Sequence, residues 1–250
     1  MKQEIKVILF DLGKTLMFSL HPWQEIFSLA NTNLLNILME KGIASRPKFT
    51  EVDFQNCLNS YYDQRNIDLI ELGALTVFKN FLFSKGYQDL SDNVLRQALD
   101  AMYAVTQTNW FLEEDTITIL EKLNNKGYRL GLISNAADDL DVQQLIDRMA
   151  LRPYFEFILT SAACGRRKPH PLMFQKAINH FSVPPHQTAM VGDTLSADIA
   201  GAENMGIYSI WITRRAQLPI DGELSIQPQA IISNLTQILS LLEDLRSDQS

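Results

Sequence analysis

The chain has 250 residues, 46% of them hydrophobic and 20% charged, and a net charge of -7; this is the composition of an ordinary globular protein, long enough for one large domain or two modest ones. The acidic balance gives no broad basic footprint for nucleic acid, no window reaches the length of a membrane span, and the run Val7–Phe10 is too short for a secretory leader. Cys57 and Cys164, far apart and without paired spacing, argue against a disulfide framework or a zinc site, so a cytoplasmic protein with no membrane and no nucleic-acid partner is expected.

The apolar run Val7–Phe10 stops at Asp11, and Gly13 lets the backbone turn just beyond it. A buried parallel strand delivers a charged group to its carboxyl end in this way, where open α/β sheets bind their ligands. From about residue 17 to 105 the periodicity becomes helical, with almost no strand signal. Ile26, Phe27, Ala30, Leu34, Leu35 and Leu38 form one stripe, ended by Lys41-Gly42. The turn-like patch Ala44-Ser45-Arg46-Pro47 separates it from a helix through Phe54, Leu58, Tyr61 and Tyr62, and two further helices are expected near 72–85 and 92–105. From residue 112 onward helix and strand alternate: helix 115–126, strand 128–133, helix 139–149, strand 155–160, helix 172–180, strand 188–191, helix 196–205 and strand 207–212. A weaker unit pairs Ala230–Ile232 with a helix over 235–245, after a polar excursion across 213–229, and residues 246–250 are expected to fray. The pattern predicts a parallel sheet covered by helices on both faces, with a helical bundle inserted after the first strand.

Polar groups fall where these strands end. The first ends at Asp11, the second at Ser134-Asn135, and the fourth at Gly192-Asp193-Thr194, with Asp198 five residues beyond Asp193; the loop after the third carries Gly165-Arg166-Arg167-Lys168-Pro169. In a parallel sheet these ends share one edge, so carboxylates, a hydroxyl, an amide and a lysine converge. Oxygen ligands of this kind suit Mg²⁺, and a lysine, a hydroxyl and backbone N–H groups suit phosphate oxygens. The set reads as a phosphoryl-transfer site. Taken singly, each residue also has a plain structural role as a turn former, a helix cap or a solvated charge.

At these four places the sequence resembles the haloacid dehalogenase superfamily of phosphohydrolases, through Asp11-Leu12-Gly13-Lys14-Thr15, Ile133-Ser134-Asn135, Lys168-Pro169 with Gly165, and Gly192-Asp193 through Asp198. The resemblance implies a Rossmann-like α/β core over 1–16 and 106–250 and an inserted helical-bundle cap over 17–105. It implies that Asp11 is the nucleophile of an aspartyl-phosphate mechanism. Ser134 and the backbone of Asn135 would bind the phosphoryl group, and Lys168 would stabilise its charge and orient Asp11. Asp11, Asp193 and the Gly13 carbonyl would hold Mg²⁺, with Asp198 and Thr15 in support, and the substrate would be a small phosphorylated metabolite of the cytosol.

Gly13 departs from the family pattern. Most family phosphatases place a second aspartate there as general acid/base, and a glycine keeps the carbonyl while losing the proton shuttle. General acid–base catalysis typically contributes ~10²–10⁴-fold, so against total accelerations of at least ~10⁶ the loss would slow a phosphatase without necessarily abolishing it. Gly13 also motivates two alternatives: a weakly catalytic ligand-binding or regulatory protein and, ranked lower, a phosphonate hydrolase or haloacid dehalogenase. A phosphonate hydrolase would need a Schiff-base lysine; Lys79 and Lys85 qualify by segment only, and solvated helix faces account for both. Lys14 is expected to face solvent and His170 the surface. His21 and Trp23 lie at the expected hinge, and Tyr61, Tyr62 and Arg65 are placed to face substrate or to pack in their helix.

Overall fold

The computed structural model describes residues 4–43, 48–88 and 90–247, so the patch expected as a turn at 44–47 and residues 248–250 lie outside the described residues. β1 (Val7–Phe10) leads through a tight loop to β2 (Met17–Ser19). Helices α1 (Trp23–Glu40), α2 (Glu51–Asp68), α3 (Ala74–Ser84) and α4 (Asp92–Thr106) follow, and β3 (Trp110–Leu112) returns antiparallel to β2. The alternating part comprises α5 (Thr116–Asn125), β4 (Arg129–Ser134), α6 (Asp139–Arg148), β5 (Phe157–Thr160), the short α7 (Ser161–Cys164) and α8 (Pro171–Phe181). It continues through β6 (Thr188–Gly192), α9 (Ala200–Asn204), β7 (Tyr208–Ile212), β8 (Ala230–Ile232) and α10 (Gln237–Ser247).

The main sheet is parallel throughout, in the order β5-β4-β1-β6-β7-β8. β1 sits where the chain switches from building one side of the sheet to the other, which opens a crevice at its carboxyl end. All four of its residues are buried, because strands flank it on both edges and helices cover both faces. Its side chains still obey the two-residue period: Ile8 and Phe10 join the core under α5, α6 and α10, whereas Val7 and Leu9 join the core under α8. The helices α1–α4 enclose a third apolar core around Leu34, Phe54, Phe78, Phe81, Leu95 and Leu99.

Two features differ from the sequence reading. The helical segment is entered through β2 and left through β3, a pair of three-residue strands. Each is too short to show alternation, and their pairing joins residues about ninety positions apart in sequence, so no local pattern announces it. Asn109 clasps the two crossings by accepting from the His21 N–H (2.8 Å) and donating to the His21 carbonyl (3.0 Å). The helix expected over 196–205 instead begins as a π-helical turn, Leu195–Ile199, before α9. Widened turns of this kind concentrate at functional sites, and this one carries Asp198.

Candidate active site

The loops at the carboxyl ends of β4, β1 and β6 surround a cavity of about 350 Å³ lined by Asp11, Gly13, Lys14, Ser134, Asn135, Lys168, Asp193 and Asp198, among others. Its floor is built on Lys168, which is 2% exposed. The ammonium has three protons to place: it donates to Asp11 Oδ1 (2.7 Å) and to the Ile133 carbonyl (2.7 Å), and it pairs with Asp198 Oδ1 (2.6 Å). Burial alone would favour neutral lysine, but the Asp11 and Asp198 carboxylates overcome it and raise the Lys168 pKa above the ordinary value. The lysine therefore stays charged and fixes the orientation of Asp11.

Asn135 holds Lys168 in place. Its side-chain Oδ1 accepts from the Lys168 N–H (2.7 Å), and its Nδ2 donates to the Lys168 carbonyl (3.0 Å). The side chain thus serves the lysine loop. Asp198 is fixed from the other side, where its Oδ2 accepts from the Thr194 N–H (3.1 Å). Gly192 makes this approach possible, because a Cβ at that position would overlap the Asp198 carboxyl group.

Asp11, Asp193 and Asp198 each offer an oxygen within 4.8 Å of the others, and all three are buried. Burial, reinforced by repulsion from Asp11 and Asp198, pushes the Asp193 carboxyl up to about 7. Burial likewise raises Asp198 to about 6, against the pull of Lys168. Three carboxyl groups converge here, repulsion among them adds to the raised pKa of Asp193 and Asp198, and the donor set is all oxygen, so the site fits a hard divalent cation.

Several expectations change here. Lys14 does not simply face solvent: it adopts a left-handed φ of 61°, lines the cavity, and its charge draws the Asp193 pKa down. Thr15 is fully buried, its hydroxyl has no hydrogen-bond partner among the described residues, and it is not part of the cavity wall. His170 caps α8 by accepting from the Leu172 N–H (3.2 Å). Lys79 and Lys85 form ion pairs with Asp92 and Asp53.

The cavity wall also carries Arg167 and Thr194, from the polar strand-end loops, and Trp110 and Asp141, which the sequence pattern does not place there. Trp110 bears directly on Gly13: a Cβ on residue 13 would meet its indole at 3.3 Å, so the ring occupies the space into which a side chain would project. A second cavity of about 500 Å³ runs among α1–α4 and is lined by Trp23, Tyr61, Tyr62, Arg65, Phe78 and Tyr103, among others. The two cavities share Trp110, Asn135, Ala136 and Asp141 as wall residues, so they adjoin. The position of Trp110, immediately before the chain re-enters the α/β part, was the one available signal.

The parallel α/β sheet thus brings a buried Asp–Lys–Asp array to its switch point, where such sheets bind their ligands. The family model for haloacid dehalogenase-like hydrolases matches residues 5–206, and the chain belongs to that family. Over 243 residues it is 28% identical to the glyceraldehyde 3-phosphate phosphatase of Pyrococcus furiosus, covering 96% of this chain and 94% of that protein. It is 35% identical over 214 residues to the enzyme of the same name from Methanothermobacter thermautotrophicus, covering 83% and 85%. In fold it resembles the crystal structure of a 2-haloacid dehalogenase from Pseudomonas syringae, with a TM-score of 0.72 at 24% identity over 96% of this chain and 99% of that one.

Proposed function

We propose that the protein is a Mg²⁺-dependent phosphomonoester hydrolase acting on a small phosphorylated metabolite of the cytosol through an aspartyl-phosphate intermediate. The observation that carries this reading is the Asp11 carboxylate held at 2.7 Å by a fully engaged buried lysine, beside the carboxyl groups of Asp193 and Asp198. Asp11 attacks phosphorus, Ser134 and the Asn135 backbone bind the phosphoryl oxygens, and Lys168 orients the nucleophile and offsets its charge. Asp11, Asp193 and the Gly13 carbonyl would hold Mg²⁺, which when bound neutralises phosphoryl charge; Asp198, committed to Lys168 and the Thr194 N–H, supports the lysine.

We take residues 17–105 as a cap over a core formed by 1–16 and 106–250. The alcohol part of the ester then enters the adjoining cavity. At about 500 Å³ that cavity falls within the range of roughly 300–1,000 Å³ that accommodates drug-sized ligands. It therefore has room for an alcohol larger than a triose, and its aromatic walls favour one with apolar or ring surface. The test is phosphate release from a panel running from trioses to aromatic phosphomonoesters, with Mg²⁺ and with chelator. Release that is lost in Asp11→Asn and on chelation supports the reading; no release above Asp11→Asn across the panel refutes it.

A further inference from the structure

The proton shuttle absent at Gly13 has a replacement in the fold. We propose that Asp141, in the first turn of α6, is the general acid/base of this site, protonating the leaving alcohol and then activating water. The inference rests on the phosphatase reading above and assigns the role which that reading leaves empty.

With phosphorus at Asp11 and the alcohol in the adjoining cavity, the bridging oxygen lies where the two cavities meet. The residues common to both walls are Trp110, Asn135, Ala136 and Asp141. An indole N–H donates a hydrogen bond but is far too weak an acid to give up its proton. The Asn135 side chain is committed to the Lys168 backbone, and the Ala136 N–H donates to Ser161 Oγ (2.9 Å). Asp141 is left as the group that can both give and take a proton. Gln107 Nε2 donates to its Oδ1 at 2.8 Å and holds the carboxyl group in place.

The electrostatics agree with this position. Burial pushes Asp141 up to about 6, the Gln107 N–H opposes the rise, Asp138 adds to it and Arg96 opposes it. Asp100 on α4 adds to the rise, and Tyr103 on α4 feels the Asp141 charge; the cavities that Asp141 lines also carry Tyr61, Tyr62 and Arg65 on one side and Asp11, Lys14, Arg167, Lys168, Asp193 and Asp198 on the other. A carboxyl group that titrates close to neutrality is suited to shuttling protons.

The steps balance. As an Asp11 oxygen bonds to phosphorus, the P–O bond to the alcohol breaks and its electron pair stays on the leaving oxygen, which takes the Asp141 proton. The Asp141 carboxylate then accepts a proton from water as the water oxygen attacks phosphorus. The bond between phosphorus and Asp11 breaks, its electron pair returns to Asp11, phosphate departs, and Asp141 is again protonated.

The experiment measures kcat/KM with Mg²⁺ for an alkyl phosphate and for p-nitrophenyl phosphate, whose leaving group needs no proton, in wild type and Asp141→Asn. The expected loss is about 10²-fold greater on the alkyl ester than on the aryl ester, in keeping with general acid catalysis. The wild-type alkyl profile should fall as pH rises past the Asp141 pKa, and the variant should lack that fall. Wild type alone gives a second measurement that does not depend on the variant folding: its rates should become more sensitive to leaving-group basicity as pH rises. Equal losses on both esters, or a wild-type sensitivity that does not change with pH, overturn the assignment while the phosphatase reading stands. Absence of phosphate release from every ester overturns both.

Discussion

Removing the Asp193 carboxyl group should change how stability depends on pH and on metal. Asp193 is 7% exposed, and its carboxyl is raised from the ordinary 3.8 to about 7. The folded state therefore binds a proton that the unfolded state has already released between these values, so this contribution is full below about pH 4 and is lost as pH rises through about 7. At about 1.4 kcal/mol per pKa unit the full loss is of order 4 kcal/mol, of which about 2 kcal/mol falls between roughly pH 5.5 and pH 8. For a chain of this size that corresponds to about 4–8 °C in Tm. Asp198 and Asp141, raised to about 6, lose stability over the same interval in both proteins, so thermal unfolding in chelator should show Asp193→Asn losing about this much less than wild type. Adding Mg²⁺ should stabilise wild type more at the alkaline end, where the carboxylates are ionised, and should stabilise the variant less. Identical pH slopes in the two proteins, or equal stabilisation by Mg²⁺, would refute the reasoning.

Gly192→Ala should push Asp198 away from Lys168, since the new methyl group overlaps the Asp198 carboxyl; a cost of about 1–3 kcal/mol in urea unfolding, with a loss of phosphatase activity, is expected. Asn135→Ala removes both side-chain bonds to the Lys168 backbone; at about 0.5–1.5 kcal/mol each it should destabilise by ~1–3 kcal/mol, and an unchanged denaturation midpoint would count against the clamp. Gly13→Asp alone should gain little rate, because its side chain would press on Trp110. Combined with Trp110→Ala it should gain more, and steady-state kinetics on an alkyl phosphate compares the two.

What the sequence revealed depends on how local each signal is. β1 was legible because a strand buried on both faces leaves an unbroken apolar run, and Asp11 because that run ends in a carboxylate. Ser134, Lys168, Asp193 and Asp198 could be placed beside it because parallel strands bring their carboxyl ends to one edge, and they do line one cavity. The side chain of Asn135 was harder to place: its partner lies 33 residues away, and nothing near it in sequence shows that its amide faces a backbone rather than a ligand. Asp141 was invisible for the same reason, reading locally as an unremarkable helix residue, while Trp110 fell between the expected elements with only its place before the α/β part to mark it. Lys14 lines the cavity from a left-handed backbone position, a geometry that residue type alone does not announce.

The most direct test of the central claim is to quench the Mg²⁺-loaded enzyme in acid during turnover of a phosphomonoester and to map the peptides by mass. The account predicts the mass of one phosphoryl group on the peptide bearing Asp11, absent from Asp11→Asn. Turnover with no phosphoryl group on that peptide, or with the same modification in Asp11→Asn, would contradict it.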